Sequence, residues 1–445
     1  MESEKIKKVF LVGVGGIGVS AVAKYLYFNN YKIFGTDSNR NENVKALENN
    51  YNLEFSEENY LDIFEKNDFE FLVYTPAVDV QNHNLIKKAL EKNIKIYSYP
   101  EFLGEISRDK FTISIAGTNG KTTTTTMLVE TLDFLGEQPN AIVGGIMKKF
   151  GSNFLAGKSD LFVLESCEYK NSFLNLYPNV AVITNITPDH LDFFGDFENY
   201  QKVFVDFLEN IKEGGVLICN PNDKNLFEIV KKAENRKIKV IDYKPFIKNL
   251  NLKIAGDYNR ENAAVVLAIL SELEKMKIAR PNLAEAKKYL EGDFVGSQRR
   301  MDLIGKTEKG AVVYDDYAHN PEGIEKLIEG LRKKFLNKKI VMVFQPHLYS
   351  RTKDFQEEFV EVLSKVDELY LSPIYGAREK PDPTISSKIL AKKIREIKNG
   401  KVQPRSCDNL DDCAKKIKEK EYDQETIIIT VGAGDVYKIT RNLVV

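Results

Sequence analysis

The sequence predicts an α/β protein built as three domains in series. Three observations carry that expectation. Short apolar runs of strand length alternate with helical spacings along the chain, and two of these runs feed glycine-rich turns. The 445 residues also leave room for about three domains of ordinary size. Strands that alternate with helices call for parallel sheets covered on both faces.

In the first block, residues 1–105, strands are expected at Lys7–Val12, Tyr31–Asp37, Phe69–Tyr74 and Ile94–Tyr97, and a helix at Val19–Leu26. Proline at Tyr99-Pro100 marks its approximate end. The second block, 106–296, has strands at Phe111–Ala116, Asp160–Leu164, Val180–Ile183 and Gly215–Cys219, then a helical stretch at Glu261–Glu274. In the third block, 297–445, strands are expected at Ala311–Tyr314, Lys339–Phe344, Glu368–Leu371 and Thr426–Val431.

Hydrophobic residues make up 43% of the chain and charged residues 29%, enough to build sizeable cores in a soluble protein. A net charge of −1 gives no long-range attraction to nucleic acid or to an anionic membrane surface, so neither is an expected partner. Local donors must hold any anionic substrate. Cys167, Cys219, Cys407 and Cys413 are too few for a disulfide framework and make no CxxC pair, so free thiols in a reducing compartment are expected. Met1-Glu2-Ser3-Glu4-Lys5 lacks the form of a signal peptide, and a cytoplasmic location is the expectation.

Gly13-Val14-Gly15-Gly16-Ile17-Gly18 fits the GxGxxG pattern of a Rossmann-like domain, with Asp37 at the end of the next strand. Glycines there allow a tight turn and a close backbone approach to a diphosphate. Three readings stay open: a dinucleotide with Asp37 on a ribose hydroxyl, another diphosphate ligand, or a structural turn. The first would make the protein an NAD-dependent dehydrogenase.

Gly117-Thr118-Asn119-Gly120-Lys121-Thr122 follows a strand and reads as the phosphate loop of a P-loop ATPase-type parallel sheet, so ATP is expected. It is shorter than GxxxxGK[ST], because Ile115 stands where the first glycine would be. The parts that chemistry needs remain: loop amides, Lys121 for the outer phosphate oxygens, and the Thr122 hydroxyl for Mg2+. Asn119 and Gly120 suit a positive φ. The β-branched run Thr122–Thr126 would be a poor choice for a purely structural helix. Glu165 ends a strand and is a natural oxygen ligand for magnesium. His190 is either a further ligand or an ordinary loop histidine, and Asp189 and Asp192 are either outer-shell groups of that site or caps of the next helix.

Of the four histidines, His83 reads as a solvated loop residue. His319 lies in Asp315-Asp316-Tyr317-Ala318-His319-Asn320-Pro321, and His347 in Gln345-Pro346-His347-Leu348-Tyr349-Ser350-Arg351-Thr352, each just after a strand. Strand ends are where ligands gather in such sheets.

Together these segments resemble the Mur ligases, above all the members that add the first amino acid. The resemblance also rests on Ser172-Phe173, Thr184–Asp192, Gly256–Asn262, Ser297–Asp302 and Gly432-Ala433-Gly434-Asp435. It implies ATP-dependent amide ligation through an acyl phosphate, with UDP-N-acetylmuramate and L-alanine as substrates and ATP and Mg2+ as cofactors, by a monomer or homodimer. The first glycine loop, with Gly13, Gly15, Gly16, Gly18 and Asp37, would then hold the UDP sugar instead of NAD. Gly117, Thr118, Asn119, Gly120, Lys121, Thr122, Thr123, Asn259, Asn262, Arg300, Asp316 and His319 would hold ATP. Thr122, Glu165 and His190 would bind the metal, and Tyr317, His347 and Arg351 the amino acid. Lys121, His190, Arg300 and His347 would be catalytic, with His347 a candidate acceptor of the amine's proton. A ligase that recycles murein peptides onto the same sugar nucleotide is the nearest alternative. The chain departs from the family at Asn119, Tyr258 and Asn320, where histidine is common, at Leu348, where arginine is common, and at Cys167-Glu168-Tyr169-Lys170, which replaces a more acidic stretch.

Overall fold

A computed structural model describes residues 6–254, 256–377, 379–397 and 402–445; the first five residues and the Asp192 side chain lie outside what it describes. The chain forms three sheets in sequence order. β1 (Lys8–Val12), β2 (Lys32–Thr36), β3 (Glu54–Phe55), β4 (Phe71–Tyr74) and β5 (Lys95–Ser98) make a fully parallel sheet in the order β3-β2-β1-β4-β5. Its core is aromatic: Phe10, Phe64 and Phe69 pack edge-to-face and stacked.

The second sheet comprises β6 (Phe111–Ala116), β7 (Asn140–Met147), β8 (Ser152–Leu155), β9 (Leu161–Glu165), β10 (Val180–Ile183), β11 (Val216–Cys219) and β12 (Lys239–Asp242). The order is β12-β11-β10-β6-β9-β7-β8, and only β8 runs antiparallel. The β7–β8 hairpin escapes a sequence reading because β7 carries Gly144-Gly145 in mid-strand.

In the third sheet, β13 (Asp302–Lys306), β14 (Val312–Asp316), β15 (Lys339–Phe344), β16 (Glu368–Leu371), β17 (Arg405–Ser406) and β18 (Thr426–Val431) run β13-β14-β18-β15-β16-β17, with only β13 antiparallel. Strand periodicity splits its core between two faces. Ile340, Met342 and Phe344 face one cluster, Val341 and Val343 the other.

By their contacts the residues group into two compact units: 1–187, 201–248 and 264–295 in one, and 188–200, 249–263 and 296–445 in the other. The first holds two sheets. Pro100 does not interrupt the chain: Ser98 and Glu101 form a capping box, and the proline opens helix Tyr99–Asp109, which leads directly into β6.

Three further expectations are corrected. Cys407 and Cys413 form a disulfide with Cα atoms 5.4 Å apart, leaving Cys167 and Cys219 free. The turn after β17, where Asn409 caps helix Leu410–Lys418, brings the two thiols together. His83 is half-buried against the Tyr60 ring instead of solvated. The turn at 117–120 takes its positive φ at Gly117 and Gly120, while Asn119 keeps an ordinary backbone. Among the described residues, no helix is long and apolar enough to cross a membrane.

Candidate active site

In the first unit, β6 lies between β9 and β10, so its C-terminal end opens onto the middle of the sheet. The phosphate loop leaves β6 there and enters helix Lys121–Phe134. A Cβ at Gly117 would fall 2.2 Å from Thr184 Oγ1, so only glycine lets the loop lie against the segment after β10. That segment then fastens the loop. Asn119 N–H donates to Asn185 Oδ1 (3.0 Å), Asn185 Nδ2 donates back to Asn119 O (2.9 Å), and Thr187 N–H donates to Thr118 Oγ1 (3.0 Å).

Thr122 Oγ1 donates to Glu165 Oε1 at 2.7 Å, and Gly144 N–H donates to Glu165 Oε2 at 2.6 Å. A hydroxyl and a carboxylate thus meet at one point beside the loop. Both are hard oxygen donors, and two protein oxygens leave the other positions of an octahedral ion to water and phosphate, so the residues fit magnesium. Among the described residues, no group of three or more His, Cys, Asp or Glu stands together as a metal cage.

Lys121 Nζ donates to Thr118 O (3.1 Å) and pairs with the buried Glu168 at 2.9 Å. Burial opposes its charge, but Glu168, together with Glu165, more than offsets this and holds the ammonium above its ordinary pKa. Lys121 is therefore a permanent cation at the loop. Glu168 sits in the stretch that departs from the family, and nothing local in the sequence points to this partnership.

The first glycine loop belongs to the same unit. Gly13 and Val14 donate to Thr36 O at 2.9 and 3.2 Å, and Gly15 N–H donates to Asp37 Oδ2 at 2.8 Å. Asp37 thus braces the loop backbone. A Cβ at Gly18 would come within 2.8 Å of the Tyr99 ring, which closes over helix Ile17–Phe28. Asn153 on β8 donates to Ser20 Oγ (3.1 Å) on that helix, and Lys24 donates to Asn153 Oδ1 (2.7 Å) and Ser152 Oγ (3.1 Å). Burial lowers Lys24 to a pKa of about 8.

In the second unit the polar residues after β14 and β15 converge. Asp316 ends β14 and accepts from Met301 N–H (2.7 Å) and Ala318 N–H (2.8 Å). Burial raises its pKa, and Arg300 partly offsets the rise. Burial likewise pushes Asp315 up to about 6, against the pull of Arg299, whose Nε lies 3.2 Å away. Arg299 and Arg300 each lie 4.9 Å from the Tyr317 ring centre. Asn259 and Asn262 are buried in the first turns of helix Asp257–Lys275, where Asn262 Nδ2 donates to Asn259 Oδ1 at 3.2 Å.

Arg351 Nη2 pairs with Asp189 Oδ1 at 3.1 Å, and both side chains are about 5% exposed or less. Asn320 Nδ2 donates to the other Asp189 oxygen at 3.2 Å, while its own Oδ1 caps helix Pro321–Lys334. Burial opposes ionisation of Asp189, but His190 and Arg351 dominate and hold its carboxyl far below the usual range. Arg351, expected to hold an amino acid, is thus already committed on one side to a carboxylate of the protein.

His190 has a left-handed backbone (φ 52) at the start of the short helix Leu191–Phe194. His347 stacks on Tyr375 with centroids 5.6 Å apart, and Leu348 N–H donates to Tyr375 O at 2.9 Å. Glu379 accepts from Tyr349 N–H (2.5 Å) and Ser350 N–H (3.1 Å), fixing the turn that carries Arg351. Tyr375 and Glu379 lie outside the motifs and gave no sequence signal.

Comparison with known proteins was made against this geometry. Residues 8–111 match the family model "Mur ligase family, catalytic domain", 115–249 match "Mur ligase middle domain", and 299–434 match "Mur ligase, glutamate ligase domain". The chain is 34% identical over 466 residues to the UDP-N-acetylmuramate–L-alanine ligase of Clostridium acetobutylicum, covering 99% of this chain and 98% of that one. Among solved structures it is similar in fold to the UDP-N-acetylmuramate–alanine ligase of Thermotoga maritima (TM-score 0.77, 24% identity, 98% of each chain). It is also similar in fold to a murein peptide ligase of Psychrobacter arcticus (TM-score 0.69, 20% identity, 98% of each chain).

Proposed function

The chain belongs to the Mur ligase family, and from that premise we propose that it joins L-alanine to the carboxylate of UDP-N-acetylmuramate at the expense of ATP, a step in making peptidoglycan precursors. The observation that carries the ATP half of this reading is the meeting of Thr122 and Glu165 beside Lys121 at the end of β6. A nicotinamide enzyme would have no use for that triad.

A carboxylate is a poor electrophile, and transfer of the γ-phosphoryl group makes it an acyl phosphate with a good leaving group. Lys121 carries a fixed positive charge to the phosphate oxygens, where it is worth most in the transition state. Thr122 and Glu165 would hold magnesium, with His190 the remaining protein ligand that family resemblance assigns. When bound, the ion neutralises charge on the phosphates. Gly13, Gly15, Gly16, Gly18 and Asp37 are proposed for the UDP sugar in residues 1–105. Asn259, Asn262, Arg300 and Asp316 are proposed for ATP alongside the loop of residues 106–296, and the resemblance adds His319 to them. Tyr317, His347 and Arg351 are proposed for the amino acid in residues 297–445.

Phosphate release measured with each substrate left out in turn tests this. Turnover should require ATP, UDP-N-acetylmuramate and L-alanine together, and release that ignores the sugar nucleotide would refute it. Leu348 favours one second reading. Without an arginine there, and with Arg351 bound to Asp189, a longer peptide amine is the competing acceptor. Parallel assays with L-alanine and a tripeptide separate the two.

A further inference from the structure

His319 and His347 lie with ring centroids 6.1 Å apart, and their hydrogen bonds give them opposite tautomers. Arg351 Nη1 is 3.4 Å from His347 Nδ1. A guanidinium only donates, so Nδ1 of His347 is the acceptor and the ring proton sits on Nε2. His319 Nδ1 is 3.0 Å from Tyr317 O. A carbonyl only accepts, so Nδ1 of His319 carries the proton and its Nε2 keeps a lone pair. Neither Nε2 has a partner among the described residues, and both side chains are only half-buried.

Both rings are neutral near pH 7. Burial, then Arg351, brings His347 down to about 4 and holds His319 well below its ordinary value, against the opposing pull of Glu379 on the first and Asp189 on the second. One imidazole therefore offers an N–H and the other a lone pair.

We propose that His319, through Nε2, takes the proton shed by the amino-acid nitrogen as the amide forms, while His347, through Nε2–H, donates a hydrogen bond to the same substrate. This rests on the ligase reading, takes His319 out of the ATP set that the resemblance implies, and divides between two residues a role that the sequence suggests for His347 alone. The amine, having lost its ammonium proton to solvent, attacks with its lone pair and forms the C–N bond. The C–O bond to phosphate breaks, and its electron pair leaves with the phosphate. The nitrogen, now strongly acidic, gives one proton to His319 Nε2. A neutral, weakly basic imidazole is sufficient at that stage.

The four histidines make this directly observable. In the ¹⁵N spectrum of the histidine-labelled full chain, with resonances assigned by single substitution, His319 should appear as the Nδ1–H tautomer and His347 as the Nε2–H tautomer. His319→Asn keeps a group able to donate to Tyr317 O but lacks the Nε2 lone pair. It should lower kcat about 10²–10⁴-fold, with KM for ATP and L-alanine nearly unchanged. Acyl phosphate, trapped as the hydroxamate with hydroxylamine, should still form in that variant. His347→Gln should act chiefly on KM for L-alanine. Reversed tautomers, or a His319→Asn variant that raises KM for ATP and keeps kcat, would overturn the proposal. Wild-type protein that releases no phosphate with L-alanine would instead overturn the ligase reading, and the spectrum would still decide the tautomers.

Discussion

The two glycine loops of the first unit are built alike and equipped differently. Each follows a central parallel strand and opens a helix, whose N-terminal amides suit an anion. At Gly13–Gly18 the loop itself carries no charged residue, and the carboxylate bonded to it, Asp37 from the end of β2, is spent on the Gly15 amide. At Gly117–Thr122 the loop carries Lys121, the Thr122 hydroxyl and the Glu165 carboxylate. The backbone device binds phosphate in general. Side chains decide whether phosphate is merely held or also transferred.

Lys121→Ala should break the comparison most sharply. Turnover should fall about 10³-fold or more, because a donor that strengthens in the transition state is lost. Binding of UDP-N-acetylmuramate, followed by calorimetry, should not change. Loss of both would mean that the loops do not divide the work.

Gly18→Val is the converse test. Its side chain would meet the Tyr99 ring, and overpacking of about 1–3 kcal/mol should displace the first loop. KM for UDP-N-acetylmuramate should rise about tenfold, while KM for ATP stays put. An unchanged sugar KM would remove that loop from the substrate site.

The smallest effect concerns the seam that ties the first loop's helix to the β7–β8 hairpin. Lys24 titrates near 8 when folded and near 10.5 when unfolded. Between those values the unfolded chain binds more protons, so stability of this unit should rise as pH rises from about 8 to 10.5. Lys24→Met should flatten that rise. Thermal unfolding at pH 8 and pH 10 reads the difference, and equal slopes would show that the lysine is not buried as a cation.

Legibility in the sequence followed distance along the chain. The strands at 8–12, 111–116, 180–183, 339–344 and 426–431 stood out because an apolar run needs no partner to be recognised. β3, β12, β13 and β17, all edge strands, did not, since they are short or partly exposed and take their conformation from a neighbour. Thr122 and Lys121 were legible from their own loop. Gly144, which holds Glu165, and Glu168, which holds Lys121, were not. The disulfide was misjudged because a count of cysteines says nothing about a turn that folds Cys407 onto Cys413.

By itself, then, the sequence determined that this is an α/β chain in three blocks with two glycine-rich loops, each between a strand and a helix, because those features are written in adjacent residues and in local periodicity. Tertiary structure alone decided which group each charged side chain serves. Lys121 meets Glu168 across 47 residues, and Arg351 meets Asp189 across 162. The bonds to Tyr317 and Arg351 that set the proton positions on His319 and His347 are local, but the two rings come within 6.1 Å of each other only because β14 and β15 end on either side of β18. Burial makes those pairings matter, since a charge or a lone pair withdrawn from water must find its partner in the protein.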